Sequence, residues 1–216
     1  MTCCCSHLCD ANAHQFGEKR AAADLRQYRA KGPGQTARLL LAGLANAGPP
    51  HGRLLDVGSG VGALTFELLQ RGMTSAVGVD LSSAYVAAAS TELDRLGRSD
   101  SAKFMHADFV DVAAVVPRAD VVTLDRVVCC YPDYERLLDE SIRHADRYLA
   151  LSYPRDRWYV RLWVRFENVV RRLRKSPFRT YVHPAEAMET RIRLAKFTLL
   201  NRSCTLTWCA DVYARS

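Results

Sequence analysis

The stretch Leu54-Leu55-Asp56-Val57-Gly58-Ser59-Gly60-Val61-Gly62 decides the fold of this 216-residue chain. Its apolar first half predicts a short buried strand, and three glycines follow at every second position before a helical pattern begins at Ala63. Glycines in such a turn let the backbone bend tightly and approach a ligand closely at the start of a helix. The stretch therefore predicts a strand, a ligand-binding loop and a helix in direct succession.

Acidic residues near this stretch indicate which ligand it binds. By spacing alone, Gly58, Gly60 and Ala63 also satisfy the dinucleotide fingerprint of nicotinamide enzymes, which is weak evidence by itself. Asp56, however, lies inside the strand two residues before Gly58. A carboxylate there is badly placed beside a pyrophosphate but can orient a cationic ligand that carries an ammonium and a sulfonium. Asp80 (VGVDLS) is well placed at a strand end for ribose hydroxyls.

Working outward from the glycine stretch, apolar runs and helical patterns alternate along the chain. Strands are predicted at 53–57, 76–79, 103–106, 120–124 and 148–153, with helices at 17–31, 34–46, 63–71, 83–96, 133–145, 157–174 and 183–195. Two further strands, 197–202 and 205–214, are too close together for a parallel crossover, so they form an antiparallel hairpin. The pattern predicts an α/β fold with a doubly wound, mostly parallel seven-stranded sheet that ends in an antiparallel hairpin.

Four ordered motifs carry a family resemblance. The segments DVGSGVG (56–62), VDLS (79–82), HADF (106–109) and DVVTLDRV (120–127) resemble those of class I, Rossmann-like, S-adenosylmethionine-dependent methyltransferases, over residues 53–153. The resemblance implies S-adenosylmethionine as the cofactor. It places the methionine part against Asp56 and the glycine loop, the ribose near the second strand, the adenine after the third and the transfer site after the fourth. The implied cofactor-binding residues are Asp56, Gly58, Ser59, Gly60, Gly62, Asp80, Leu81, Asp108, Phe109 and Asp125.

The acceptor side is less specified, because methyl transfer from an activated donor needs alignment more than a dedicated catalytic group. Tyr131 and Asp125 follow the fourth strand, where open α/β sheets bind ligands, and we consider both as catalytic candidates. Tyr131 could bond a substrate, or the segment Tyr131-Pro132-Asp133 could simply begin a helix that Asp133 caps. Two further catalytic candidates are Tyr28, which could fold over the cofactor or pack in the core, and His183, which could belong only to a helix entry turn.

Several arginines and a second, narrower resemblance suggest the kind of acceptor. Arg126, Arg155 and Arg157 follow strands four and five and could clamp an anion. The Tyr131-Pro132 pair and the N-terminal helices resemble magnesium-protoporphyrin O-methyltransferases, although the segments after strands four and five depart from that pattern. The sequence therefore predicts O- or N-methylation of a small molecule, with a porphyrin-like, aromatic or anionic acceptor as one possibility.

The organisation along the chain has three parts: a Cys-rich tail (1–15), N-terminal helices (16–50) and a methyltransferase domain (51–216). The last part holds a helical insertion at about 157–182. Within it, helix 157–174 has an apolar stripe formed by Trp158, Leu162, Trp163, Phe166, Val169, Val170 and Leu173. The stripe could pack on the body of the domain, which is the commonest arrangement, form a lid over the substrate, or rest on anionic lipid as a peripheral membrane contact.

Composition and charge limit the location and the partners. Residues 155–179 carry nine basic and two acidic side chains, an excess that equals the net charge of +7 of the whole chain. Because a nucleic-acid binder more often spreads its charge over a broad face, we expect no nucleic-acid partner. No secretory signal or membrane span is evident, and the eight cysteines do not form a disulfide framework, so we expect a reducing cytoplasm without disulfides. His106 is expected in the core, Cys129 and Cys130 as apolar fillers, and no metal site is expected.

Two alternatives stay open beside the methyltransferase. A nicotinamide-dependent oxidoreductase would need a second nucleotide-binding half or a catalytic Tyr/Lys or His arrangement, and neither is evident. A non-catalytic module could keep the cofactor fold and dock through its basic helix. The sequence does not specify the oligomeric state.

Overall fold

One sheet is built from seven strands of the chain. Their bounds are β1 (Gly52–Val57), β2 (Met73–Asp80), β3 (Ala102–His106), β4 (Ala119–Leu124), β5 (Ala145–Pro154), β6 (Phe197–Cys204) and β7 (Trp208–Arg215). The computed structural model describes residues 15–48 and 51–216. The strand order is β3-β2-β1-β4-β5-β7-β6, which is parallel from β3 to β5, with β7 antiparallel to both β5 and β6. The predicted fold class, including the closing hairpin, is confirmed.

Helices cover both faces of this sheet. Their bounds are α1 (Glu18–Lys31), α2 (Gln35–Ala47), α3 (Ala63–Gln70), α4 (Ser83–Arg95), α5 (Phe109–Val112), α6 (Tyr134–His144), α7 (Trp158–Leu173) and α8 (Ala185–Leu194). Short 3-10 turns at Ala113–Val115 and Val128–Cys130 and the short helix α5 were not predicted. The predicted helices are all present within a few residues of their expected bounds.

The buried residues of β1 explain why the sheet is covered on both sides. Leu54 packs with apolar residues of α2 and α3, whereas Leu55 packs with those of α6 and α8 on the opposite face. Every residue from Leu54 to Val57 is buried, as is typical of a central strand in a parallel sheet. This double burial fixes the carboxyl end of β1, and with it the glycine loop that follows.

The first helix, α1, is attached to the domain by ion pairs as well as by apolar contacts. Glu92 of α4 is buried and accepts hydrogen bonds from Arg29 of α1 at 3.0 Å and from its neighbour Arg95 at 2.7 Å. The Arg95 guanidinium, with Arg29, lowers the pKa of Glu92 to about 2. In addition, Ala21 and Leu25 of α1 pack with Val61 of the glycine loop and Tyr85 of α4. The N-terminal helix thus lies against the loop that the sequence singled out.

The expectation that the chain has no disulfide is wrong. Cys204 and Cys209 are joined by a disulfide across the hairpin, where they are direct cross-strand partners in the register of β6 and β7. Their five-residue separation looked unrelated to a framework, because the sequence does not show which residues of two strands face one another. Cys3, Cys4, Cys5 and Cys9, like most of the predicted tail, lie outside the described residues.

Two further side-chain environments differ from those expected. His106 is exposed at the end of β3, where its Nε2 lies 3.0 Å from the carbonyl oxygen of Leu81, and it is not a core histidine. The apolar stripe of α7 does not pack on the body of the domain: Trp158, Trp163 and Phe166 are all more than half exposed. The buried side chains of α7 are Val160 and Val164, which lie on the other side of the helix.

No helix in the described part of the chain combines the length and apolarity needed to cross a membrane.

Candidate cofactor and acceptor site

The loop after β1 contains glycines whose surroundings differ. Gly58 has a φ of 66°, and an added Cβ would lie 2.3 Å from Cγ2 of Val127. The backbone N–H groups of Gly58 and Ser59 both donate to the carbonyl of Val79, which fastens the loop to β2. Gly60 also has a positive φ, 54°, but an added Cβ would meet no atom of the described chain within 4 Å. Gly60 therefore borders open space in which a ligand can approach the backbone.

Asp56 is buried beneath this loop. Its two carboxylate oxygens accept hydrogen bonds from the hydroxyls of Thr65 in α3, at 2.8 Å, and Thr123 in β4, at 2.7 Å. Burial raises the pKa of Asp56 to about 6, and the nearby Asp125 and Asp80 carboxylates add to the rise. The structure thus places Asp56 where the sequence predicted, with its charge only partly compensated by neutral donors.

Asp80 connects the glycine loop to the turn after β2. One carboxylate oxygen accepts from the N–H of Gly60 and the other from the N–H of Ser82, both at 2.8 Å. Burial raises the pKa of Asp80 above its ordinary value. Leu81, also predicted to contact the cofactor, lies between these anchored positions and is partly exposed. The side chain predicted to bind the ribose therefore lies beside the loop predicted to bind the methionine part.

A buried hydroxyl without a hydrogen-bond partner in the described chain indicates that the glycine loop binds a ligand. Ser59 Oγ is buried and has no hydrogen-bond partner among residues 15–48 and 51–216. Buried hydroxyls are nearly always paired in folded proteins, so this one calls for a partner from outside the described chain. Together with the open face of Gly60 and the carboxylates of Asp56 and Asp80, it fits a polar, cationic ligand such as S-adenosylmethionine.

The motif after β3 is more deeply built into the core than the sequence suggested. Both carboxylate oxygens of Asp108 accept from the Tyr131 hydroxyl, at 3.0 and 2.9 Å, and Asp108 also caps α5 through the N–H of Val110. The ring of Phe109 is buried and packs edge-on against His144, so the structure does not place it on an open surface for the adenine. Two predicted site residues, Asp108 and Tyr131, are thus brought together.

This contact decides between the two interpretations of the segment after β4. The Tyr131 side chain is buried with its hydroxyl on Asp108, and Asp133 caps α6 by accepting from the N–H of Arg136 at 3.3 Å. The helix-starting interpretation is therefore the one that the structure supports. A catalytic role for Tyr131 stays a prediction. In this structure its hydroxyl is buried against Asp108 and does not face an open site.

Asp125 and Arg126 form the part of the site at the end of β4. Asp125 is partly exposed and accepts from the Ser152 hydroxyl of β5 at 2.6 Å, and burial raises its pKa. Arg126 has a positive φ of 62°, which is rare for a residue with a side chain, and its N–H donates to the same Ser152 oxygen. The exposed guanidinium lies over the ring of Trp208, 5.3 Å from its centroid.

The remaining catalytic candidates have structural partners. His183 Nε2 lies 3.1 Å from the carbonyl oxygens of both Val128 and Tyr131, so this nitrogen carries the proton and donates, and burial lowers the pKa of the ring. His183 therefore fastens the segment before α8 to the turn after β4. Tyr28 packs against Phe66 of α3, and burial raises its pKa to about 12. The core-packing alternative for Tyr28 is the one seen.

Sequence reasoning missed a contact that closes the cofactor side of the molecule. Ser82 donates its hydroxyl proton to the carbonyl oxygen of Phe16 at 2.6 Å, and the Phe16 ring contacts Tyr85 and Phe178 at centroid distances of 5.6 and 5.3 Å. The segment before α1 thus meets both the turn after β2 and the connector between α7 and α8. Only the capping role of Ser82 in α4 leaves a signal in the sequence, because the other contacts join residues far apart along the chain.

Two thiols lie in the turn after β4. Cys129 is buried and Cys130 is partly exposed, with their sulfur atoms 3.5 Å apart. In residues 15–48 and 51–216, no cluster of three or more His, Cys, Asp or Glu side chains is arranged to hold a metal ion.

Comparisons with known proteins bear on this site. Residues 54–147 match the family model described as a methyltransferase domain. The magnesium protoporphyrin IX methyltransferase of Synechocystis PCC 6803, solved with bound SAH, superposes with a TM-score of 0.69 at 21% identity, over 96% of this chain and 100% of that one. The N-methyltransferase NodS of Bradyrhizobium japonicum WM9, in complex with S-adenosyl-L-homocysteine, gives 0.64 at 15% identity, over 92% and 97%. No curated protein sequence matches the chain significantly.

We predict that Gly60→Ala weakens binding of S-adenosylhomocysteine at least about tenfold, because the new Cβ occupies the open space beside the loop. The matched control is Gly97→Ala, since Gly97 also has a positive φ, 64°, and open surroundings, but lies at the end of α4. Both variants carry a similar backbone strain of about 1–2 kcal/mol. Calorimetric titration and thermal unfolding of the pair separate the two effects, and equal affinities in both variants would place the cofactor elsewhere.

We also predict that S-adenosylhomocysteine affinity falls as the pH is lowered through about 6, the pKa of Asp56. Below that pH Asp56 is protonated and must release its proton before it can stabilise the ligand's ammonium group, so affinity drops by up to about tenfold per pH unit. Asp80 and Asp125 also have raised pKa values, so the informative quantity is the difference between the wild type and Asp56→Asn. Parallel pH profiles for the two proteins would show that Asp56 does not act on the ligand's charge.

Proposed function

Because the chain carries a methyltransferase domain on the Rossmann-like fold of S-adenosylmethionine-dependent enzymes, we propose that it methylates an oxygen or nitrogen of an aromatic small molecule that bears an acidic group. The matching methyltransferase domain and the neighbours solved with SAM or SAH support the predicted family, cofactor and enzyme class. The acceptor class and the identity of the methylated atom are the proposal.

The observation that carries the acceptor class is the position of Arg126. Its left-handed backbone directs an exposed guanidinium from the carboxyl end of β4, and strained conformations of this kind concentrate at functional sites. Arg126 forms no ion pair with any residue in the described ranges, and it lies over the Trp208 ring. An unpaired guanidinium beside an aromatic surface suits an acceptor that is both flat and acidic.

Asp125 is the residue suited to receive a proton from the acceptor. It lies one residue before Arg126, is partly exposed and has a raised pKa, which makes it a better base than an ordinary aspartate. The Ser152 hydroxyl holds one Asp125 oxygen and receives the N–H of Arg126, so the two side chains are positioned together. Bound S-adenosylmethionine would supply the electrophilic methyl group and keep the sulfur electron pair when the bond breaks. Asp125 would take up the proton that a phenol or amine acceptor loses.

The likeness to the magnesium protoporphyrin IX methyltransferase supports a large, flat acceptor with carboxylates as one member of this class. The nicotinamide alternative is disfavoured by charge, because Asp56 is buried beneath the loop against which a pyrophosphate would have to bind. A small-molecule partner is therefore the proposal that the site favours.

We test this by incubating the protein with isotopically labelled S-adenosylmethionine and a panel of porphyrins, phenols and aromatic acids. With an accepted acidic substrate, Arg126→Ala should raise KM about tenfold or more, as for the loss of a charge-assisted hydrogen bond, while leaving S-adenosylhomocysteine affinity unchanged. Arg126→Lys should recover part of the loss. Arg147→Ala is the matched control. The Arg147 guanidinium also lies 5.3 Å from the centroid of an aromatic ring, that of Tyr148, but it is at the amino end of β5, away from the site.

Two results would overturn the proposal while leaving cofactor binding intact. One is the absence of label in every acidic aromatic acceptor when neutral acceptors are methylated. The other is an unchanged KM for an acidic acceptor in Arg126→Ala.

A further inference from the structure

Helix α7 has an apolar face on the side that does not contact the protein. Six large apolar side chains are between 56% and 79% exposed, and we call them the outer face: Trp158, Leu162, Trp163, Phe166, Val169 and Leu173. At 100° per residue, these side chains fall within one arc of the helix and form a continuous apolar patch. On ordinary protein surfaces, exposed apolar residues are scattered singly. A contiguous apolar patch of this size indicates a binding surface.

The opposite side of α7 is already occupied by the protein itself. Val160 and Val164 are buried, Asn168 exchanges hydrogen bonds with the backbone of Thr180 at 2.7 and 3.0 Å, and Arg171 donates to the Thr180 hydroxyl at 2.7 Å. The helix is therefore fixed with its outer face directed away from the sheet. To act as a lid, the outer face would have to turn inward and break these contacts.

Positively charged side chains border the outer face along one edge. Arg161, Arg165 and Arg172 lie along the helix next to the apolar arc and are exposed. Arg161 is paired with Asp156, whereas Arg165 and Arg172 form no ion pair with any described residue. Arginines that flank an apolar face with tryptophan are typical of helices that lie in the interface of an anionic membrane.

The hairpin loop extends the same surface at the start of α7. The Tyr159 hydroxyl donates to the carbonyl oxygen of Leu206 at 2.8 Å, which holds the loop between β6 and β7 against the first turn of the helix. Leu206 itself is 74% exposed. The apolar surface therefore continues from the helix onto an element that is covalently closed by the Cys204–Cys209 disulfide.

From these observations we infer that the outer face of α7 binds the surface of a membrane rich in anionic lipid, with Trp163 and Phe166 inserted among the acyl chains and Arg165 and Arg172 on the headgroups. A second copy of the chain would bring the same arginines together across a symmetric contact, which their charge opposes. The inference does not depend on the proposed acceptor, since it uses no residue of the cofactor or acceptor site.

The experiment is co-sedimentation of the full chain with vesicles of phosphatidylcholine alone and of equimolar phosphatidylcholine and phosphatidylglycerol. We expect binding to the anionic vesicles that decreases with salt. The Trp163→Ala, Phe166→Ala double variant should bind at least about tenfold more weakly, from the apolar surface it no longer inserts. Arg165→Gln and Arg172→Gln should each weaken binding about fivefold. Leu194→Ala is the matched control, because Leu194 is 82% exposed on α8.

Three outcomes would overturn the inference. The first is no binding to anionic vesicles by a folded wild-type protein. The second is binding that needs the arginines but is unchanged in the aromatic double variant, which would show adsorption without insertion. The third is a doubled mass in analytical ultracentrifugation that the aromatic double variant abolishes, which would assign the outer face to a second copy of the chain. S-adenosylhomocysteine binding by every variant confirms that the folded domain is being tested.

Discussion

The buried carboxylate of Asp56 is the constraint on which the geometry of the site depends. It lies within the sheet and accepts hydrogen bonds from the hydroxyls of Thr65 in α3 and Thr123 in β4, so one group joins β1 to a helix and to the neighbouring strand. Burying a charge with only neutral donors is costly, and the raised pKa of Asp56 expresses that cost. A cationic ligand above the loop would reduce it. The proposed binding of a positively charged cofactor above the loop would give this destabilised charge its partner.

Charge also separates the two halves of the site. Asp56 and Asp80 make the loop side acidic, while Arg126 makes the end of β4 basic, and Asp125 lies between them. A cationic methyl donor and an acidic acceptor would each be attracted to its own half. Because the donor is already activated, this alignment supplies much of what catalysis requires. Asp56 also opposes a dinucleotide, whose pyrophosphate would lie against the loop above this carboxylate.

Much of the fold could be predicted because its signals are local. The glycines after β1, the alternation of strands and helices and the short gap between β6 and β7 each act within a few residues. The features that were predicted wrongly depend on contacts between segments that are distant along the chain. The Cys204–Cys209 disulfide requires the register of a hairpin, and the outward direction of the α7 stripe requires knowing which side Val160 and Val164 bury. An amphipathic pattern shows that a helix has an apolar side but not what covers it.

The site shows the same division. The motifs placed Asp56 and Asp80 correctly beside the glycine loop, because strand ends determine where they lie. They could not show that Tyr131 bonds to Asp108, 23 residues away, or that Phe16 reaches Ser82 across 66 residues. Arg126 was one of several arginines in the sequence. Its positive φ and its stacking on Trp208 distinguish it, and both are properties of the folded chain.

The most direct test of the account is a calorimetric titration of the purified protein with S-adenosylhomocysteine, with NAD titrated in parallel. The acidic loop predicts micromolar or tighter binding of S-adenosylhomocysteine, about 8 kcal/mol of binding free energy, and no measurable binding of NAD. Binding of NAD without S-adenosylhomocysteine would contradict the assignment of the carboxylates to a cationic cofactor. Binding of neither would mean that the fold is kept for docking and not for methyl transfer.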